Sequence, residues 1–252
     1  MIAKPVSTTT ASSLPHASIN FYSSSAFLDR ADAGKSLTQA LRALGPFQDP
    51  LLLALPRGGV PVACQVAAEL GIPLDIFLVR KFSLPERPEV SVGIVASGGV
   101  QILNLAFQKG NSQHQNFPTD LASLIDREHA ALARRESAYR QSRPAEPIAG
   151  RSVIVIDDGL TTGATMRNAI QALRHLSPAQ IIAAVPVASP EVCAELQSEA
   201  DSVVCPCTPS SFFSVRRCYR DFSPVLDLDI RSLLDSVSSQ AHLTHRSGAF
   251  HA

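Results

Sequence analysis

Val153-Ile154-Val155-Ile156-Asp157-Asp158-Gly159-Leu160-Thr161-Thr162-Gly163-Ala164-Thr165 is the stretch on which the reading of this chain turns. Four consecutive β-branched residues form an apolar run short enough for a strand, and continuous rather than alternating apolarity suits a strand buried on both faces. Two adjacent carboxylates end the run. A Gly- and Thr-rich loop follows, and a helical pattern opens at Thr165. Ligands of open α/β sheets bind outside the carboxyl ends of the strands. A loop of this composition at a helix start offers backbone N–H groups, hydroxyls and the positive end of the helix dipole, which together make a phosphate cradle. It is not a Walker A loop, because no Gly-Lys-Ser/Thr follows.

Asp157 and Asp158 add a requirement that a bare phosphate does not have. Two carboxylates repel a phosphate unless something stands between them. A ribose with two free hydroxyls, often with Mg²⁺, fits that gap, because carboxylates accept from diols and bind hard cations. A 5-phosphorylated sugar accounts for the loop and the acids together.

Outward from this stretch, short apolar runs alternate with helical patterns. Leu51–Leu55, Leu74–Val79, Ile181–Val187 and Val203–Cys205 read as further buried strands, and Ala33–Leu44, Val60–Leu70, Thr165–Leu176 and Pro190–Ser198 as helices. Strands separated by helices imply right-handed crossovers and a mostly parallel sheet. The expected fold is therefore α/β, a mostly parallel central sheet flanked by helices, with a small cap or hood. Val92–Asn104 reads as a hairpin turning at Ser97-Gly98-Gly99. Asp120–Tyr139 reads as a charged helix with a solvated face, set outside the sheet in a helical cap insertion over 105–140.

Two further stretches follow strands. Leu55-Pro56-Arg57-Gly58-Gly59-Val60-Pro61 opens a helix with two glycines, which allow close backbone approach, and Arg57 sets a permanent cation beside their N–H groups. Pyrophosphate suits that seat. Phe77-Leu78-Val79-Arg80-Lys81 ends a strand with two cations, and Ser83–Ser91, holding Pro85 and Pro88, reads as a loop able to close over a ligand.

In this chain order the three features resemble the type I phosphoribosyltransferases, from about Phe27 to about Leu234. The 153–165 stretch looks like that family's signature for 5-phosphoribosyl-1-pyrophosphate (PRPP). The chain is most similar to an uncharacterised subgroup with Asp-Ala-Gly near the start (here Asp32-Ala33-Gly34), Leu-Pro-Arg-Gly-Gly-Val-Pro (Leu55–Pro61) and Asp-Asp-Gly-x-x-Thr-Gly-Ala-Thr (Asp157–Thr165). Tyr219-Arg220-Asp221-Phe222 matches a recurrent pattern of that group.

The resemblance implies Mg²⁺-dependent transfer of phosphoribosyl from PRPP to a nitrogenous base with release of pyrophosphate. By resemblance Asp157, Asp158 and Lys81 carry the catalytic roles, and Thr161, Thr162, Gly163, Ala164 and Thr165 hold the 5-phosphate. Arg57, Gly58, Gly59, Arg80 and Lys81 hold the pyrophosphate. Mg²⁺ is shared between PRPP and the two acids. A homodimer is the family's usual assembly. Family members acting on 6-oxopurines carry an Asp immediately before the Thr-Gly of the loop. Thr161 stands there, which argues against that acceptor and leaves orotate, adenine and other nucleobase-like acceptors open. Phe212, Phe213, Tyr219 and Phe222 are candidates to stack on a ring. The same resemblance covers an alternative, a non-catalytic PRPP-sensing regulator, which fold alone does not separate from a transferase.

Composition narrows the classes further. Lys plus Arg and Asp plus Glu are 22 each, so no net field recruits nucleic acid or an anionic membrane. No apolar run reaches the roughly 18–20 residues of a membrane span. Cys64, Cys193, Cys205, Cys207 and Cys218 are odd in number and lack CxxC spacing, which points to reduced thiols in a cytoplasmic setting. Residues 1–25 are Ser- and Thr-rich without an apolar period and read as a disordered extension. Residues 26–237 read as the domain and 238–252 as a flexible tail.

Overall fold

A computed structural model of the chain describes residues 26–85, 87–104, 121–141 and 143–247. The expected extension over 1–25, the 105–120 part of the expected cap and residues 248–252 lie outside the described residues.

Five strands form the central sheet: β1 (Pro50–Ala54), β2 (Leu74–Ile76), β6 (Ser152–Ile156), β7 (Gln180–Ala184) and β8 (Ser202–Val204). Their order is β2-β1-β6-β7-β8, and every pairing is parallel. The crossovers are α2 (Gly59–Leu70) from β1 to β2, α4 (Ala164–Arg174) from β6 to β7, and α5 (Pro190–Leu196) from β7 to β8. From β1 the chain winds outward one way, and from β6 it winds the other. The β1/β6 boundary is thus the switch point, and the loops after these two strands open side by side at the carboxyl edge, where α/β sheets bind ligands.

Side-chain alternation along the strands divides the core between the two faces. Leu52, Ala54, Ile154, Ile156, Ile182 and Ala184 pack toward α1 (Arg30–Leu44), α2 and α6 (Asp227–Ser247). Leu51, Leu53, Val153, Val155, Ile181 and Ala183 pack toward α4 and α5. In α4, Met166, Ala169, Ile170 and Leu173 recur at helical spacing and are buried, which fixes the helix on the sheet. α1 starts at the N-cap Asp29, whose carboxylate accepts from the Asp32 N–H at 2.9 Å, while Asp32 accepts from the Leu28 N–H at 3.0 Å. Gly34 lets α1 close on α2: a Cβ there would lie 2.6 Å from Gln65 Cβ and 2.9 Å from the Val62 carbonyl.

Three readings of the sequence are corrected. The expected single strand Leu74–Val79 is broken. β2 stops at Ile76, Phe77 and Leu78 cross over, and Val79 begins β3 (Val79–Leu84) of a separate antiparallel sheet with β4 (Arg87–Ala96) and β5 (Val100–Leu103). Ser97 effects the crossing, since its hydroxyl accepts from the Leu78 N–H at 2.8 Å. The expected closing loop Ser83–Ser91 is largely the end of the β3–β4 hairpin, with Leu84 paired to Arg87, because Leu84 and Val90 find apolar partners against the core. α6 runs through Ser247, well past the expected start of a tail at 238. Ile230, Leu233, Leu234 and Val237 give it an apolar period on the core.

The charged helix forms as α3 (Leu121–Arg140), against β3, β4 and α6. It lies outside the five-stranded sheet, yet its inner face is core: Leu124, Leu132 and Tyr139 are buried. Arg140 also turns inward, donating from Nε to Asp75 Oδ1 at 2.8 Å and from Nη2 to the Ile76 carbonyl at 2.9 Å. All five cysteines are free. Among the described residues no helix is long and apolar enough to cross a membrane.

Candidate functional site

At the switch point the loop after β1 and the loop after β6 are joined by backbone. The Leu55 N–H donates to the Ile156 carbonyl at 2.8 Å. The glycines of the first loop are required by the second. A Cβ on Gly58 would stand 2.1 Å from Asp158 Oδ2, and one on Gly59 would stand 2.4 Å from the Ile156 carbonyl oxygen. Arg57-Gly58-Gly59 and Asp157-Asp158, about a hundred positions apart in the chain, therefore share one site. The Pro56–Arg57 peptide is cis. α2 and α4 both begin here, with N-caps Gly58 and Gly163 and no side-chain hydrogen bond from either cap residue. Gly163 has φ 69°, a left-handed turn that suits glycine and brings the Thr161–Thr165 backbone round to the start of α4.

The two acids have different partners. Asp157 Oδ1 accepts from the Asp158 N–H at 2.9 Å. Asp158 Oδ2 accepts from Arg30 Nε at 2.8 Å, and the Asp158 carbonyl accepts from the Tyr219 hydroxyl at 2.6 Å. Burial first, and the neighbouring Asp158 charge second, push Asp157 up to about 8. Asp158 is raised as well, by burial, and Arg30 works against that rise. Burial pushes the Tyr219 phenol far up, so it stays protonated and donates.

Arg30 is in turn fixed. Its Nη1 donates to the Ser223 carbonyl at 2.8 Å, and its guanidinium stands 4.0 Å over the Phe222 ring. Phe222 lies 5.0 Å from Tyr219, and Tyr219 lies 5.4 Å from Phe27. The hood over the acids is thus built from residues 27–30 and 219–223. Within it, Tyr219 and Phe222 pack against one another and against Arg30. Of the aromatics named as candidates to stack on a ring, Phe213 is 73% exposed, with Arg217 placed 5.0 Å over its ring.

Of the cations named from the sequence, Arg57 and Arg80 stand at the mouth of this site and Lys81 does not. Arg57 is half exposed, with Nη1 3.9 Å from Asp227 Oδ1. Arg80 pairs with Glu128 of α3 and, with Pro56, Arg135 and Thr165, lines a cavity of about 130 Å³. That cavity is bounded by Leu55 and Pro56 just before Arg57, by Phe77–Arg80, by α3 and by Thr165 in the first turn of α4. Lys81, next along β3, is exposed and does not line it.

Sequence reasoning missed Arg30, Arg135 and Asp227. Arg30 is 128 positions from Asp158, and no local spacing links them. Arg135 sits in a run of charges where nothing in the pattern sets it apart. Tyr219 stands out in the sequence for its motif, but its role as a donor to the Asp158 backbone does not.

A family model described as a phosphoribosyl transferase domain matches residues 23–222. Two curated proteins of Mycobacterium tuberculosis, MT0597 of strain CDC 1551 / Oshkosh and Rv0571c of strain ATCC 25618 / H37Rv, bear phosphoribosyl transferase as a provisional name. Each is 37% identical over 212 residues, covering 83% of this chain and 46% of its own length. The chain thus spans about half the length of the curated relatives it matches. Among solved structures, the crystal structure of TT1426 from Thermus thermophilus is 39% identical. It superposes with a TM-score of 0.71 and covers 82% of this chain and 97% of that one. With the switch-point loops, the acid pair and a family match over most of its length, the chain belongs to the phosphoribosyl transferase domain family.

Proposed function

We propose that the chain binds PRPP with Mg²⁺ and transfers its 5-phosphoribosyl group to a ring nitrogen of a nucleobase-like acceptor, releasing pyrophosphate. The observation that carries this reading is the contact of Gly58 with Asp158: a cation-flanked, glycine-rich anion seat is packed against a carboxylate pair. Few ligands need both at that spacing. PRPP does, having a ribose diol beside its pyrophosphate.

In this reading the Thr161–Thr165 backbone and hydroxyls, with the start of α4, hold the 5-phosphate. Asp157 and Asp158 accept from the ribose hydroxyls, Arg30 keeping Asp158 in place. The Gly58 and Gly59 amides with Arg57 take the pyrophosphate, and Arg80 adds positive charge at the mouth. The acceptor nitrogen forms its bond to C1 as the bond from C1 to the pyrophosphate oxygen breaks, the electron pair leaving with pyrophosphate and the proton of an N–H acceptor passing to solvent. In this reading positive charge develops on the sugar ring, as in glycoside hydrolysis, and the acid pair, when ionised, offsets that charge.

The donor set fits a cation shared with the ligand. Two adjacent carboxylates are present, one of them engaged by Arg30, and among the described residues there is no cluster of three or more metal-binding side chains. Asp157 and Asp158 would hold Mg²⁺ by way of the ribose hydroxyls, and the ion when bound offsets charge on the pyrophosphate. Five free thiols suit a reducing, cytoplasmic setting.

The test is pyrophosphate release from PRPP and Mg²⁺ with a panel of bases that includes orotate and adenine. The reading predicts release that depends on one class of base. PRPP binding without release for any base would overturn the transferase reading and leave a PRPP sensor.

A further inference from the structure

Two guanidiniums converge on one carboxylate at the edge of the site. Arg57 Nη1 and Arg135 Nη2 each stand 3.9 Å from Asp227 Oδ1. The three residues come from the loop after β1, from α3 and from the first position of α6. All three are about half exposed, at 49%, 50% and 52% for Arg57, Arg135 and Asp227.

Arg135 is also held independently of Asp227. Its Nε donates to the Tyr139 hydroxyl oxygen at 3.0 Å, and its guanidinium lies 5.8 Å from the centre of that buried ring. The Tyr139 hydroxyl in turn donates to Asp227 Oδ1 at 2.7 Å. Arg135 lines the same cavity as Pro56, Arg80 and Thr165, so it stands beside the residue that precedes Arg57 and beside the last residue of the loop assigned to the 5-phosphate.

Half-exposed ion pairs at this distance are weak. A carboxylate brings one charge and two oxygens. A pyrophosphate group brings more of both, and planar guanidiniums pair with phosphate oxygens in a fixed two-pronged geometry. We infer that Arg135 is a second arginine of the pyrophosphate seat, joining Arg57, and that Asp227 is an internal stand-in anion displaced when the pyrophosphate group binds. The inference rests on the PRPP reading above and adds to it a binding residue from α3, a helix read from the sequence as a solvated cap.

Removing Arg135 and removing the Asp227 charge should have opposite effects. Inorganic pyrophosphate with Mg²⁺ is titrated calorimetrically into wild type, Arg135→Gln, Arg135→Lys and Asp227→Asn. Arg135→Gln should weaken binding roughly tenfold or more, as expected for loss of one charge-assisted hydrogen bond, and Arg135→Lys should fall between it and wild type. Asp227→Asn should tighten binding by up to about fivefold, the scale of an exposed ion pair, because Asn keeps an acceptor for Tyr139 but gives up the competing charge. Wild-type affinity in folded Arg135→Gln, or weaker binding in Asp227→Asn, would overturn the inference while the PRPP reading stands. If Arg135→Gln does not fold, the Asp227→Asn arm decides. Absence of pyrophosphate and PRPP binding by wild type would overturn the PRPP reading, and this inference with it.

Discussion

Asp157 and Asp158 are held together in a part-buried site where loss of solvent disfavours the charge of each, and only Asp158 is directly engaged by a cation. Such an arrangement lowers the stability of the free protein. Asp157 is raised from its ordinary 3.8 to about 8, so between those values the folded chain retains a proton that the unfolded chain has lost. Stability is therefore greatest below about pH 4 as far as this group is concerned, and it declines as pH rises through the window up to about 8. Asp157→Asn removes the titration. The variant should unfold at a higher temperature than wild type near pH 8, by several degrees for a gain of about 1–2 kcal/mol. Its melting temperature should also fall less between pH 5 and 8. Equal slopes for the two proteins would show that Asp157 is not the destabilised carboxylate. The residue types of this site were legible in the sequence because strand, acids and loop are contiguous. Arg30 was not, since its link to Asp158 exists only once α1 is docked.

At the scale of elements, the charged helix shows where reading by pattern stops. Its charges suggest a solvated face, and Arg135 is indeed half exposed. Yet Arg140 and Glu136 are 12% and 17% exposed. Arg140 reaches across to Asp75 at the edge of the central sheet, where Asp75 Oδ2 also accepts from the Glu146 N–H at 3.0 Å. A charge paired across 65 positions looks the same in the sequence as one facing water. Asp75→Ala would leave Arg140 with only Glu136, 3.3 Å from its Nη1, as counter-charge, so the loss should lie between about 1 kcal/mol and the about 3–5 kcal/mol of a buried charge left with no partner. Chemical denaturation should show that loss. A loss below about 1 kcal/mol would mean the pair behaves as a surface contact. The strand break at Phe77-Leu78 was hidden for a related reason: an apolar run carries no mark of the residue at which it leaves one sheet for another.

For the whole molecule, the alternation of strands and helices was enough to give a parallel sheet, but not its order. Order fixes function here. Because β1 and β6 are neighbours with crossovers leading away on opposite sides, the Arg57 loop and the Asp157–Thr165 loop meet at the carboxyl edge. The hood over them joins residues 27–30 to residues 219–223, so the two ends of the family match close over the acids. Nothing in local spacing carries such long-range closure.

The central claim is that these loops form one PRPP site, and ligand-dependent thermal unfolding tests it most directly. Melting would be followed with Mg²⁺ alone and with Mg²⁺ and PRPP, for wild type and for Asp157→Asn/Asp158→Asn. PRPP at about 100 times its Kd should stabilise wild type by about 2.7 kcal/mol, and the double variant, though folded, should show no shift. No shift in wild type at saturating PRPP, or an equal shift in both proteins, would contradict the assignment of the acid pair to PRPP.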